Sequence, residues 1–291
     1  MKRFGHLFAL AAMAAFGLMA PISKFAMVPN GLDGPSLAVL RIVGAAVVFS
    51  LLALAFKLPP VEKGDFKYFV GMALTSIVFN QGMYITGLQL TSPLNGSLIN
   101  IVTPIAVMTL SLVFLGIKIT WCKALGVAIS LCGVVGLVLS SAPAGGKVGS
   151  PVGAICCVIS QISCECYYVF FVKVVRKYHP LVILSRNFSI AAVLTLPVLI
   201  WKWTIIAPAM QVPSIVWPTV YVVFMGTVFA YICLIIAQHH LPPPTVAIYN
   251  YIQPIIAGSF GILMGVDELT IFKVLAALFI ISGVTLVTRS K

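Results

Sequence analysis

The chain has 291 residues, of which 61% are hydrophobic and only 8% charged, with a mean hydropathy of +1.12. An average globular domain carries about 25% charged residues, so a soluble fold is excluded. The net charge of +12 would point to nucleic acid in a soluble protein, but here a membrane explanation comes first and no nucleic-acid partner is expected.

Met1-Lys2-Arg3 and the apolar stretch behind it imitate a secretory signal. The stretch runs on to about Val28 with no small-x-small site before polar sequence, so it is read as a first membrane span. Further apolar segments, set off by Gly, Pro and charge, follow near 35–56, 67–89, 93–116, 122–141, 150–173, 181–201, 214–238, 244–265 and 271–288. With the amino terminus inside, Lys2, Arg3, Lys57, Lys63, Lys67, Lys118, Lys123, Lys173, Arg176, Lys177, Arg289 and Lys291 fall in the cytoplasm, and only Lys147, Lys202 and Lys273 outside. That bias follows the positive-inside rule and requires an even number of crossings. Ten fits, with both ends cytoplasmic at the inner membrane.

Polar residues inside these spans are the candidate site. Lys24 lies near the outer end of the first span, where it either snorkels or lines a vestibule. Arg41 stands about six residues into the second, and long enough to snorkel. The third presents Asn80 and Tyr84 on one face. In the fourth, Asn100 precedes Pro104 by four residues, so the proline frees the carbonyl of Asn100 itself and an amide meets an unpaired backbone oxygen. Such a place suits ligand coordination or a gating kink.

The sixth span carries Gln161, Glu165 and Tyr168 on one helical face. Glu165 is the only acid deep in a span, about 12 Å from the nearer helix end at 1.5 Å per residue. A carboxylate there costs about 2.5–3.5 kcal/mol on insertion scales, so it faces a cavity or partner, or is protonated; contact with substrate and carriage of a coupling proton are the functional readings. Arg186 sits in the seventh span as Arg41 does in the second, which favours a structural role common to both. Tyr231 in the eighth adds an aromatic with a polar tip, suited to stacking on an organic solute. Asn250 and Pro254 in the ninth repeat the pair of the fourth, with Gln253 beside them.

The cysteines clustered at 156–166 cannot wrap one ion from a single helix, and no phosphate loop, zinc motif or nucleophile elbow occurs. No cofactor, metal or ATP is implied.

Shifting the chain by 150 residues lays Pro93, Asn100, Pro104-Ile105, Thr120, Lys123, Leu125, Gly133-Val134 and Ser140 on Pro243, Asn250, Pro254-Ile255, Thr270, Lys273, Leu275, Gly283-Val284 and Ser290. With a slightly shorter shift, Pro35 and Arg41 match Pro180 and Arg186. The chain therefore reads as two halves, 1–142 and 143–291, of five spans each. Five is odd, so the second half enters the membrane upside down. The fold class is an all-α membrane protein of ten transmembrane helices, arranged as two inverted five-helix repeats around a central cavity, as in many secondary transporters. Glycine and serine at 126, 130 and 133 mark spans five and ten as a close-packing face, between the halves or between two copies.

The stretches "LAVLRIVGAA", "NGSLINIVTPIAVMTLSLVFLGIKITWCKALGVAISLCGVVGLVLS" and "PTVAIYNYIQPIIAGSFGILMGVDELTIFKVLAALFIISGVTLVT" resemble the drug/metabolite transporter superfamily, in its ten-helix branch with two EamA-like domains. One departure is Lys118, in "GIKIT", where the resemblance leads one to expect the acidic pair seen as Asp267-Glu268. The resemblance implies export of amino acids, nucleobases, toxic cations or other small metabolites. The expectation is a secondary transporter, an exporter working by alternating access, with membrane lipid, protons and a second copy as further partners. The alternatives are an uncoupled facilitator or exchanger with a structural Glu165, and a membrane-embedded enzyme or sensor. An enzyme would need converging acids, bases or metal ligands at one depth, and the sequence offers one deep acid and no deep histidine.

Overall fold

The computed structural model describes residues 2–101, 110, 120–140, 150–241 and 249–289. Every described element is helical: α1 (Lys2–Ala26), α2 (Gly34–Ala55), α3 (Phe66–Ala73), α4 (Asn80–Leu90), α5 (Pro93–Asn100), α6 (Trp121–Ser140), α7 (Pro151–Phe170), α8 (Val172–Lys177), α9 (Pro180–Trp201), α10 (Trp203–Ala209), α11 (Pro213–Val223), α12 (Ala230–His240), α13 (Ile252–Leu263) and α14 (Ile271–Arg289). Short 3-10 turns precede α3 and α13. All-helical structure is what lipid demands, because hydrocarbon offers no partner to an open backbone group. The chain is an all-α, multi-pass membrane protein. Phe4–Ala26, Gly34–Ala55, Pro180–Trp201 and Pro213–Ala237 are long and apolar enough to cross a membrane.

Helix starts follow from local chemistry. Asp33 accepts from the Ser36 amide at the head of α2, Ser92 from Asn95 at α5, Ser150 from Val152 at α7, and His179 from Leu181 at α9. Each cap is followed within two residues by proline, whose missing N–H costs nothing in a first helical turn. The helices match the sequence segments closely. Two short helices, α8 and α10, were not expected: each continues a long crossing past a break in the loop behind it. Most of the fourth span, including Pro104, lies outside the described residues.

Two crossings contain π-helix, at Leu74–Phe79 between α3 and α4 and at Phe224–Phe229 between α11 and α12. The two stretches stand 150 residues apart, as do Asn80–Leu90 and Ala230–His240 behind them. Helical periodicity does not reveal such a widened turn, and it was missed in the sequence.

The halves pack reciprocally. On α6, a Cβ added to Gly133 would lie 2.9 Å from the Ala276 carbonyl of α14; on α14, one added to Gly283 would lie 2.5 Å from the Gly126 carbonyl of α6. The four positions are two pairs of repeat equivalents. Low numbers on one helix meet high numbers on the other, so α6 and α14 run antiparallel, and Ser130 donates to the carbonyl of its own equivalent, Ile280, at 3.2 Å. The same exchange recurs at the rim, where Gly5 of α1 abuts His240 and Gly153 of α7 abuts Leu90. The small-residue face thus joins half to half within one chain, by close backbone approach.

Loops expected on one side of the membrane meet there. Lys177 bonds Glu62 at 2.6 Å and Asp65 at 2.7 Å, and Tyr178 also donates to Asp65. These hydrogen bonds hold the Asp65 carboxyl below the usual carboxylate range, so this fastening persists at neutral pH and is lost only on acidification through that lowered value. At the opposite face, Lys202 pairs with Asp33 at 2.5 Å.

The close approach predicts a sharp asymmetry between glycines. Gly283→Val is expected to destabilise the detergent-solubilised protein by about 1–3 kcal/mol through overpacking. Gly136→Val, at a glycine with nothing within 4 Å of an added Cβ, should leave thermal unfolding unchanged.

Candidate functional site

A chain of amide side chains crosses between the halves where α4, α5, α7 and α13 converge. Gln161 Nε2 on α7 donates to Asn100 Oδ1 at the end of α5, at 2.5 Å. Asn100 Nδ2 lies 3.5 Å from the Tyr84 hydroxyl on α4 and 3.4 Å from Gln253 Oε1 on α13. Gln253 Nε2 in turn faces Asn250 Oδ1 at 3.4 Å and the Met13 sulfur of α1 at 3.0 Å. Five sequence candidates, Gln161, Asn100, Tyr84, Gln253 and Asn250, therefore form one polar run. Its longer links, at 3.4–3.5 Å, are weak bonds by ordinary geometry. They leave these amides able to exchange partners.

Glu165 lies one turn beyond Gln161 on α7 and is fully buried, at 0% exposure. The side chain of Tyr168, like Pro104, lies outside the described residues. Pro254 is buried in the first turn of α13. It offers no N–H to the carbonyl of Asn250, and there the chain takes the 3-10 turn Tyr249–Tyr251. Asn80 stands apart from the amide run: its Nδ2 donates to the Ser160 carbonyl at 3.0 Å, and Ser160 Oγ returns a bond to the Asn80 carbonyl at 2.8 Å, fastening α4 to α7.

Near Tyr84 and Tyr231 sits a buried cation. Arg41 is 3% exposed; its Nε donates to Thr227 Oγ1 at 2.6 Å and its Nη2 lies 3.5 Å from the Gly226 carbonyl. Both acceptors belong to the π stretch of the eighth crossing, whose widened turn lets Thr227 donate in turn to Val222, five residues back. No carboxylate among the described residues pairs with Arg41. Tyr84 and Tyr231 are close enough to interact with it electrostatically. The Tyr231 hydroxyl faces Gln81 Nε2 at 3.4 Å, and its ring meets Phe16 and Phe188 edge-on. Gln81, 1% exposed, keeps a buried Oε1 with no hydrogen-bond partner among the described residues.

Arg41 and Arg186 do not share an environment, although their placement in the sequence is symmetric. The residue equivalent to Thr227 in the first half is Ile77, which offers no oxygen to a guanidinium. Arg186 is exposed instead. Gln81 also escaped the sequence reading, although its place one residue past Asn80 on a polar-faced crossing was a usable signal.

A second polar cluster lies where α5 begins. Gly265 takes a left-handed φ of +67°, turning the loop after α13 so that Asp267 comes back onto α5. There Asp267 Oδ2 accepts from the Leu94 amide at 2.7 Å, while Oδ1 accepts from Lys273 Nζ at 2.5 Å. Lys24 of α1 donates to the Gln89 carbonyl at 3.1 Å at the same end. The repeat cannot make this clamp twice: the equivalents of Asp267 and Leu94 are Ile117, without a carboxylate, and Pro244, without an N–H. Among the described residues no cluster of three or more metal-ligating side chains occurs.

Two predictions follow from these contacts. Asp267→Ala, which strands a buried ammonium, should destabilise the fold by about 3–5 kcal/mol in thermal unfolding. In a double-mutant cycle on unfolding, Asn100→Ala and Gln253→Ala should couple by about 0.5 kcal/mol or more; strict additivity would mean that the amide run is not one network.

A family profile described as the EamA-like transporter family matches residues 3–139 and, a second time, 151–289. No curated protein matches the chain. A solved crystal structure, described only as that of a protein, is similar at a TM-score of 0.63 and 17% identity, over 98% of this chain and 96% of that one. At that identity the likeness is one of fold.

Proposed function

The chain belongs to the EamA-like transporter family, and from that premise we propose that it is a secondary active transporter exporting a small organic metabolite by alternating access. Members of this family are transporters of small molecules rather than enzymes, which weighs against the reading as a membrane enzyme or sensor. The proposed setting is the inner membrane, with both termini cytoplasmic. The proposed chamber lies at the interface of the halves, where Asn100, Gln253 and Asn250 line the path, Gln161, Tyr84 and Tyr231 face it, and Tyr168 is added from the sequence. Pro104 and Pro254 are the proposed gating kinks, and Asn80 contributes by seating α4 on α7.

The observation that carries this reading is the amide run joined across both halves. A rocking movement of one half against the other must break or exchange the links of Asn100 to Gln253 and Gln161, so solute binding and conformation are coupled through the same side chains. Amino acids, nucleobases and organic cations are the candidate solutes. The buried Arg41, with no carboxylate partner among the described residues, favours a solute bearing an anionic group over a permanent cation. The unpaired Gln81 Oε1 would accept from an N–H of that solute.

Glu165 is the proposed proton carrier. Its complete burial equally supports a second reading, an uncoupled facilitator or exchanger in which Glu165 is structural. Transport in liposomes separates them. Glu165→Gln should abolish pH-driven transport and spare solute exchange; if the proton gradient still drives the variant, the coupling role is lost.

A ligand-stabilisation screen across amino acids, nucleobases and organic cations finds the solute. With it in hand, Asn100→Ala and Asn250→Ala should each weaken binding while the protein stays folded. Arg41→Gln should cost about 1.5–3 kcal/mol of affinity, the worth of a charged hydrogen bond, for solutes with an anionic group alone. Wild-type affinity in all three variants would remove the chamber from this interface.

A further inference from the structure

Arg186, the cation that diverged from Arg41, opens onto a groove of about 540 Å³ on the flank of α3 and α9. Phe66, Phe69, Ile190, Val193 and Leu194 give it an almost wholly apolar wall. The loop before α3 forms its upper edge through Pro60 and Val61. Val193 and Leu194 are exposed along the outer surface of α9, so the groove faces lipid rather than the interior between the halves.

We propose that this groove holds one anionic phospholipid, its phosphate on Arg186 and an acyl chain along Ile190, Val193 and Leu194. Arg186 lies six residues into α9, about 9 Å from the helix start at 1.5 Å per residue, and a guanidinium at that depth reaches the headgroup level by extending toward the interface. A phosphodiester matches its planar fork with two parallel hydrogen bonds. Arg186 makes no ion pair among the described residues. Charge at the mouth favours an anion as well: Glu62 and Asp65 are both taken up by Lys177, while Lys63 and Lys67 remain beside them on the same loop and helix start. The apolar wall selects a lipid over a free anion, since inorganic phosphate gains nothing from burying it. With the orientation proposed above, this is a site for the inner leaflet.

Thermal unfolding of the full chain in detergent tests it without reference to transport, so failure of the transport reading and failure of the lipid site remain distinguishable. Added phosphatidylglycerol should raise the melting temperature, and phosphatidylethanolamine should raise it much less. Arg186→Gln should abolish the preference between the two lipids, and Val193→Trp, which fills the groove and keeps the charge, should reduce the shift for both. Native mass spectrometry of the same samples should show one retained phosphatidylglycerol fewer in Arg186→Gln. The proposal is overturned if Arg186→Gln keeps the wild-type preference, if phosphatidylethanolamine stabilises equally, or if inorganic phosphate alone reproduces the shift, which would make this a free-anion site.

Discussion

Hydrocarbon cannot answer a polar group, and this one constraint orders the rest of the structure. Backbone groups satisfy themselves in helices; side-chain amides, which cannot, are met by one another. Gln161, Asn100, Gln253 and Asn250 do so across the boundary between the halves. A membrane protein that needed rigidity alone would fill such a boundary with small and apolar residues, as it does between α6 and α14. The two kinds of contact differ: close-packed glycine faces join the halves along α6 and α14, and amide bonds, one of 2.5 Å and one of 3.4 Å, join them through Asn100.

The π stretches explain how a charge can be held among these helices. A widened turn leaves backbone oxygens without their regular partners, and the stretch at Phe224–Phe229 presents the Gly226 carbonyl and the Thr227 hydroxyl to Arg41. These dipoles spread the guanidinium charge without neutralising it, since no acid is paired with it among the described residues. A buried Arg–carboxylate pair would be electrically closed to a solute. Arg41 keeps its net charge.

Much of this was open to reading from the chain. The spans are visible because lipid requires long apolar runs. The repeat is visible because Pro93, Asn100 and Gly133 recur without a gap, and the amide residues stand out because a polar side chain in a span is costly. The π turns were not visible, since a single extra residue in one turn leaves hydropathy unchanged. The different surroundings of the arginine pair were not visible for another reason: matching Arg41 to Arg186 leaves out that Thr227 is matched by Ile77. The environment of a residue repeats only if its partners do. Asp267 showed as a departure from its counterpart loop, but its partner is a backbone amide, which no side-chain pattern discloses.

The reciprocal seam between α6 and α14 is the arrangement of a symmetric dimer written into one polypeptide. Were the halves separate identical copies, every substitution would strike both sides of the axis at once, and neither a lone carboxylate clamp nor a lone interior guanidinium could arise. Tandem fusion removes that obligation. The chain has kept equivalence along the seam, where shape alone matters, and abandoned it at Arg186, Ile117 and Pro244. The bond from the Leu94 amide to Asp267 has no counterpart between Ile117 and Pro244, so the two ends of the molecule carry different chemistry although they descend from one blueprint.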